Sequence, residues 1–226
     1  MKIVVAVRCR NEERHIERFL VRYGQFADQI VVSDGGSTDK SLEILSRFPQ
    51  IDLRHFKQEE VINGVAWNPD GPHMNFVINA AKEHNPDWLI FDDMDDVPNY
   101  LLRKDARVLL EQSPYPQVNA FRLYLWGDDF HFPHMNRNFD PNYTSLWAWK
   151  PNEIDIHADE SIRHGTMIGT AQEYTKLDVP YCLLHRSWYP NTITAKMVRY
   201  NLIGLPMDHP LQFAGTPEPL PEYAHD

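Results

Sequence analysis

Residues 87–99 read DWLIFDDMDDVPN. Trp88, Leu89, Ile90 and Phe91 form a short apolar run of the kind that fills a buried strand, and four carboxylates follow within five positions, Asp92, Asp93, Asp95 and Asp96. Like charges crowded at the edge of a dry core repel one another, and one of them would ordinarily take up a proton. The crowding makes sense where something positive sits among them.

Working outward, three similar runs precede this one: residues 2–7 (KIVVAV), 29–34 (QIVVSD) and 51–56 (IDLRHF). Between the runs lie apolar stripes at helical spacing: Ile16, Phe19, Leu20 and Tyr23, then Leu42, Leu45 and Phe48, then Phe76, Val77, Ala80 and Ala81. A fourth stripe, Leu102, Ala106 and Leu109, follows Pro98, which is expected to break the strand before it. Strand and helix in alternation predict an α/β fold, a mostly parallel sheet flanked by helices. Ligands of such sheets bind beyond the carboxyl ends of the strands. Three polar clusters stand at those ends: RCRNEE (8–13), SDGGSTD (33–39) and DDMDD (92–96).

The second half is less regular. Residues 117–126 (QVNAFRLYLW), 144–150 (TSLWAWK) and 181–188 (YCLLHRSW) read as further strands, and from Leu205 the chain is Pro-rich and aperiodic. We expect one domain over residues 1–204, with a ligand-binding half (1–112) and a second half (113–204), and a tail over 205–226.

Composition narrows the function. With 42% hydrophobic and 24% charged residues the chain can build a core, and a net charge of −10 disfavours nucleic acid and anionic membrane surfaces as partners. Two cysteines, Cys9 and Cys182, form no disulfide framework. No apolar run approaches the ~18 residues of a transmembrane segment, and MKIVVAV is a strand pattern with no signal-peptide character, so a cytoplasmic protein is expected.

The clusters suggest chemistry. In a strand-like continuation Asp93 and Asp95 point to one side, flanked by Asp92 and Asp96, a hard oxygen-donor set suited to Mg²⁺ or Mn²⁺. Asp34 ends a strand before Gly35 and Gly36, with Ser37 or Thr38 placed to cap the next helix; its carboxylate either accepts a hydrogen bond from a nucleotide or steadies the turn. Arg8 and Arg10 stand where the first strand gives way to a loop, and Asn11 and Glu12 open the following helix, a favourable place for an anion.

Together VAVRCRNEERHIERFL, DQIVVSDGGSTDKSLEIL and DWLIFDDMDDVP resemble, in order and spacing, the successive motifs of family-two glycosyltransferases with the GT-A (Rossmann-like) fold, over residues 2 to roughly 112. The resemblance implies a nucleoside-diphosphate-sugar donor with Asp34 near the nucleobase. It also implies that Asp93 and Asp95 form the family's Asp-x-Asp motif, with Asp93 touching donor and metal, and that His185 is a late metal ligand. HMNFVINAAK resembles the segment where the family often carries Arg-Asn; Met74 stands in place of the arginine, and His73 is the residue available to substitute. The other histidines, His131, His134, His157 and His164, lack such placement. An inverting transferase needs a carboxylate base to deprotonate the acceptor hydroxyl, and NEIDIHADESIRHG offers Asp155, Asp159 and Glu160, with Asp159 or Glu160 preferred. Trp126, Phe130, Phe132, Trp147 and Trp149 either line a cleft for a glycan, glycolipid or glycoprotein acceptor or pack a second core.

Other classes share parts of this pattern. A sugar-nucleotide pyrophosphorylase would need a Gly-rich basic loop after its first strand, and RCRNEE has no glycine. A sugar-nucleotide-binding protein without turnover would keep the fold and the aromatics. A glycoside hydrolase would need two carboxylates facing each other across a sugar.

Overall fold

The computed structural model describes residues 1–62, 65–125, 131–132, 144–161, 166–185 and 218–219. The first half runs β1 (Ile3–Cys9), α1 (Ile16–Tyr23), β2 (Gln29–Asp34), α2 (Ser41–Leu45) and β3 (Asp52–His55). A short hairpin, β4 (Glu60–Ile62) and β5 (Val65–Trp67), leads to α3 (Asp70–Lys82), β6 (Trp88–Asp93), β7 (Asp96–Pro98) and α4 (Tyr100–Glu111). The second half adds β8 (Gln117–Tyr124), β9 (His131–Phe132), β10 (Thr144–Trp149), β11 (His157–Ala158) and β12 (Met167–Ile168). It closes with β13 (Thr175–Lys176), β14 (Cys182–His185) and β15 (Glu218–Pro219).

The central sheet has the order β3-β2-β1-β6-β10-β8-β14-β7, with β13 also on β8. The strands β3, β2, β1 and β6 are parallel, as the alternation predicts, and β10 runs antiparallel between β6 and β8. The second half is therefore more regular than its sequence suggests, since its main strands continue the first half's sheet.

Side-chain alternation divides the core. Ile3, Val5, Val7 and Cys9 pack with α1, α2 and α4 on one face, whereas Val4, Ala6 and Val31 pack with Val77, Ile78, Ala80 and Ala81 of α3 on the other. Trp147 joins the first cluster and Trp149 the second, both fully buried, so these two tryptophans belong to the core and do not line a cleft. Trp126 and Phe130 lie outside the described residues, as do His134, His164 and the tail apart from Glu218–Pro219, which pairs with β9. Both cysteines are free and buried, and burial pushes their thiols up to about 12. No helix among the described residues is long and apolar enough to cross a membrane.

Local details differ from the sequence reading. Strand β6 ends at Asp93, before Pro98, which instead closes β7 ahead of Asn99. Asn99 caps α4 by accepting from Leu102 N–H at 3.0 Å. In that helix Leu102, Ala106 and Leu110 are buried in the core, and Leu109 packs against the cluster half-buried. At α2 neither Ser37 nor Thr38 caps the helix; Asp39 accepts from Ser41 N–H at 2.8 Å, while Ser37 and Thr38 bond to Asn11.

The link from β6 to β7 shapes the site. Only Met94 and Asp95 join the two strands, yet β10, β8 and β14 lie between them in the sheet. Three extended steps from Asp93 to Asp96 reach about 10 Å, whereas four strand spacings across a flat sheet need about 19 Å. The sheet must curl, and the curl folds β7 and its partner β14 over the end of β6.

Phe19 is fully buried and Val21 half-exposed on the same helix. Phe19→Ala is expected to cost about 3–5 kcal/mol and Val21→Ala under about 0.5 kcal/mol, measured by urea denaturation.

Candidate functional site

The curl delivers the acidic turn to a cation-bearing corner. Strands β14 and β7 pair antiparallel with His185 opposite Asp96, and β14 runs parallel to β8 with Leu183 beside Arg122. His185 Nδ1 lies 2.9 Å from Asp96 Oδ1 and 3.8 Å from Asp95 Oδ1. Donor atoms of Asp95, Asp96 and His185 all fall within 4.8 Å of one another.

This cluster differs from the expected one in a single member. Asp95 and His185 lie together, and Asp96 instead of Asp93 completes the group, because the chain turns at Met94–Asp95 instead of continuing as a strand. Asp93 is held from the other side, accepting from Arg8 Nη2 at 3.0 Å while Arg8 Nη1 donates to Asp70 Oδ1 at 2.9 Å. Burial works to raise the Asp93 carboxyl, but Arg8 and Arg122 outweigh it and hold the group down at about 2. Asp93 is still partly exposed, so its ionised carboxylate keeps access to solvent.

Behind the turn lies a buried network. Arg122 Nη2 is 3.0 Å from Asp92 Oδ1 and 3.2 Å from Asp96 Oδ2, and Tyr23 Oη donates to Asp92 Oδ2. Burial and the neighbouring Asp96 raise the Asp92 carboxyl well above the usual range, whereas Arg122 and His185 overcome burial at Asp96 and lower it. One carboxyl thus leans to the neutral form, as the crowding in the sequence requires.

The loops after β1 and β2 interlock. Asn11, at φ +59°, accepts through Oδ1 from Thr38 N–H at 2.7 Å, Glu12 N–H donates to Ser41 Oγ at 2.9 Å, and Arg10 pairs with Glu59 at 2.8 Å. Helix α1 begins at Ile16, and the Glu12 carbonyl accepts from His15 N–H at 2.8 Å and Ile16 N–H at 3.3 Å, so Glu12 opens the turn that leads into the helix while Asn11 braces the neighbouring loop. Asp34 is buried and accepts from Gly36 N–H at 2.9 Å and Ser37 N–H at 3.2 Å through Oδ2; the turn needs Gly36 at φ +86°. Among the described residues Oδ1 carries only the longer contact to Ser37, at 3.3 Å. His73 is buried, stacked on Phe56 at 4.4 Å, and its Nε2 lies 2.9 Å from Ser33 Oγ and 3.1 Å from the Ser33 carbonyl. These contacts are to protein.

The segment bearing the proposed base docks on α3. Asn75 accepts from Ala158 N–H at 2.7 Å, and its amide donates to the Ala158 carbonyl at 3.0 Å and to Glu160 Oε1 at 2.7 Å. Gly71 permits the close approach, because a Cβ there would stand 2.7 Å from the Asp159 carbonyl. Helix α3 therefore carries Asp70, which holds Arg8 and through it Asp93, next to the backbone of Asp159 and Glu160. Ser161 donates to Asp159 Oδ1 from both N–H and Oγ, lowering that carboxyl. Asp155 is exposed and pairs with Lys82 at 3.2 Å.

Sequence reasoning missed Arg122, Tyr23, Asp70 and Asn75. One signal was visible: Arg122 interrupts an apolar strand between Phe121 and Leu123, where a buried cation calls for carboxylate partners.

No family model matches the chain, and no curated protein does. Solved structures do. S. aureus TarS 1-349 in complex with UDP aligns at TM-score 0.52 and 17% identity, covering 82% of this chain and 60% of that one. The same fragment in complex with UDP-GlcNAc aligns at 0.50 and 16%, covering 89% and 64%, and TarS without that truncation at 0.53 and 16%, covering 89% and 38%. The chain thus spans less than two thirds of each TarS structure. The likeness shows the fold: the mixed sheet flanked by helices is the GT-A architecture.

Burial and then Arg8 lower His73 from 6.5 to about 4. A neutral buried imidazole favours the folded state above the unfolded pKa, and this contribution is lost as pH falls from 6.5 towards 4. The loss amounts to roughly 3 kcal/mol. His73→Gln is expected to flatten the fall in melting temperature across that window.

Proposed function

We propose that this chain is a glycosyltransferase that takes a sugar from a nucleoside-diphosphate donor, UDP-linked by analogy with the TarS complexes, and passes it with inversion to a hydroxyl of a glycan or glycoconjugate. The observation that carries the reading is the convergence of Asp95, Asp96 and His185 beyond the carboxyl ends of parallel strands. They meet in a fold whose TarS examples hold UDP and UDP-GlcNAc.

Two carboxylates and an imidazole in reach of one another suit Mn²⁺ or Mg²⁺. Asp96 Oδ2 faces Arg122 at 3.2 Å without a well-formed hydrogen bond among the described residues, so Asp96 would hold the ion through Oδ1, the oxygen that faces His185. When bound, such an ion supplies positive charge against the diphosphate leaving group. The chain's own residues do the rest. Asp34 keeps acceptor capacity on Oδ1 for the nucleobase edge. Asp93, kept ionised by Arg8, offers an acceptor to the donor's ribose, and Arg8 fixes its direction by bridging to α3. Asp159 or Glu160 takes the proton of the attacking hydroxyl, from a segment that Asn75 and Gly71 seat beside the donor half. Arg10, Asn11 and Glu12 shape the loop wall, and His73 supports the cleft from beneath.

Thermal denaturation tests the donor site. UDP with Mn²⁺ at about 100 times its Kd should add about 2.7 kcal/mol, a rise of roughly 5–10 °C, and Asp95→Asn should abolish it. No shift with any nucleoside diphosphate would leave a GT-A fold without donor binding. The base is tested by turnover of UDP-sugars against an acceptor panel. Asp159→Asn or Glu160→Gln should lower kcat by roughly 10²–10⁴ while the UDP shift persists.

A further inference from the structure

We propose that Arg122 is a positioning residue for the acidic centre, a built-in cation that assembles Asp96 with Asp95 and His185 before any metal arrives; this rests on the nucleotide-sugar reading above. Asp92 and Asp96 are the two fully buried carboxylates of the turn, and both face the same Nη2 of Arg122, at 3.0 and 3.2 Å. Arg8 serves Asp93 instead. The oxygens of Asp96 are divided, Oδ2 towards Arg122 and Oδ1 towards His185.

Asp92 and Asp96 repel each other across this buried corner, and Nη2 of Arg122 is the cation placed between them. With the guanidinium removed, Asp96 turns away from Asp92, and its contact with His185 goes with it. A metal ion at Asp95, Asp96 and His185 would then have to assemble its own site from a loosened corner. Arg122 relieves it of that task. The residue is suited to the role because its Nη2 lies within ion-pair distance of both carboxylates, and because it stands on β8, directly beside the strand that carries His185.

The test compares wild type, Arg122→Gln and Arg122→Lys by melting temperature, with UDP alone and with UDP plus Mn²⁺. Arg122→Gln should melt roughly 10 °C lower than wild type without Mn²⁺. Mn²⁺ should add less to Arg122→Gln than to wild type, because the ion must then order Asp96 itself, while Arg122→Lys, which keeps the charge, should stay near wild type in both measures. Equal Mn²⁺ increments in wild type and Arg122→Gln would overturn the proposal and make Arg122 a structural ion pair only. If Arg122→Gln is recovered unfolded, the comparison is repeated in a stabilising osmolyte such as trimethylamine N-oxide, where a smaller Mn²⁺ increment than in wild type supports the proposal and an equal one overturns it. Absence of any Mn²⁺ increment in wild type is a different result. It overturns the nucleotide-sugar reading, and this proposal with it.

Discussion

Everything in this fold that bears on function depends on the way four aspartates are kept together between Phe91 and Val97. A buried apolar strand drives them to the edge of the core, and two residues of linker force the chain to turn there. The repulsion is relieved by dividing the group. Arg8 takes Asp93, Arg122 takes Asp92 and Asp96, Tyr23 gives Asp92 a proton donor, and His185 stands against Asp96. The arrangement leaves one edge of the cluster, Asp95 with Asp96 and His185, offering two carboxylates and an imidazole to a common point.

This division also explains the sheet. Strand β7 is joined to β6 by Met94 and Asp95 yet hydrogen-bonds to β14, three strands further on. The curl that this demands carries β8 and β14 to the acidic turn, so Arg122 and His185 reach it from the second half of the chain. The two halves share one sheet, and the site lies where that sheet folds over itself. The α3 helix completes the junction by holding Arg8 through Asp70 at its start and the Ala158 backbone through Asn75 one turn later.

The parallel half of this architecture was legible in the sequence because each strand ends in a polar cluster and each helix carries a regular apolar stripe. Asp95 and His185 were legible as partners for the same reason, through their positions after apolar runs. Asp96 was not, because period-two alternation assumes an unbroken strand, and the turn at Asp95 changes which side chains share a face. The pairing of β10 between β6 and β8 was equally hidden, since antiparallel neighbours far apart in sequence leave no local signature. Trp147 and Trp149 read equally well as cleft or core, and only the packing of both sheet faces decides for the core.

The most direct test is a crystal structure with UDP and Mn²⁺, with the metal located by its anomalous scattering. One strong peak is expected at coordination distance, about 2.1 Å, from oxygens of Asp95 and Asp96 and a nitrogen of His185, touching the diphosphate, with the uracil beside Asp34. A peak elsewhere, or UDP bound away from the ends of β1, β2 and β6, would contradict this reading.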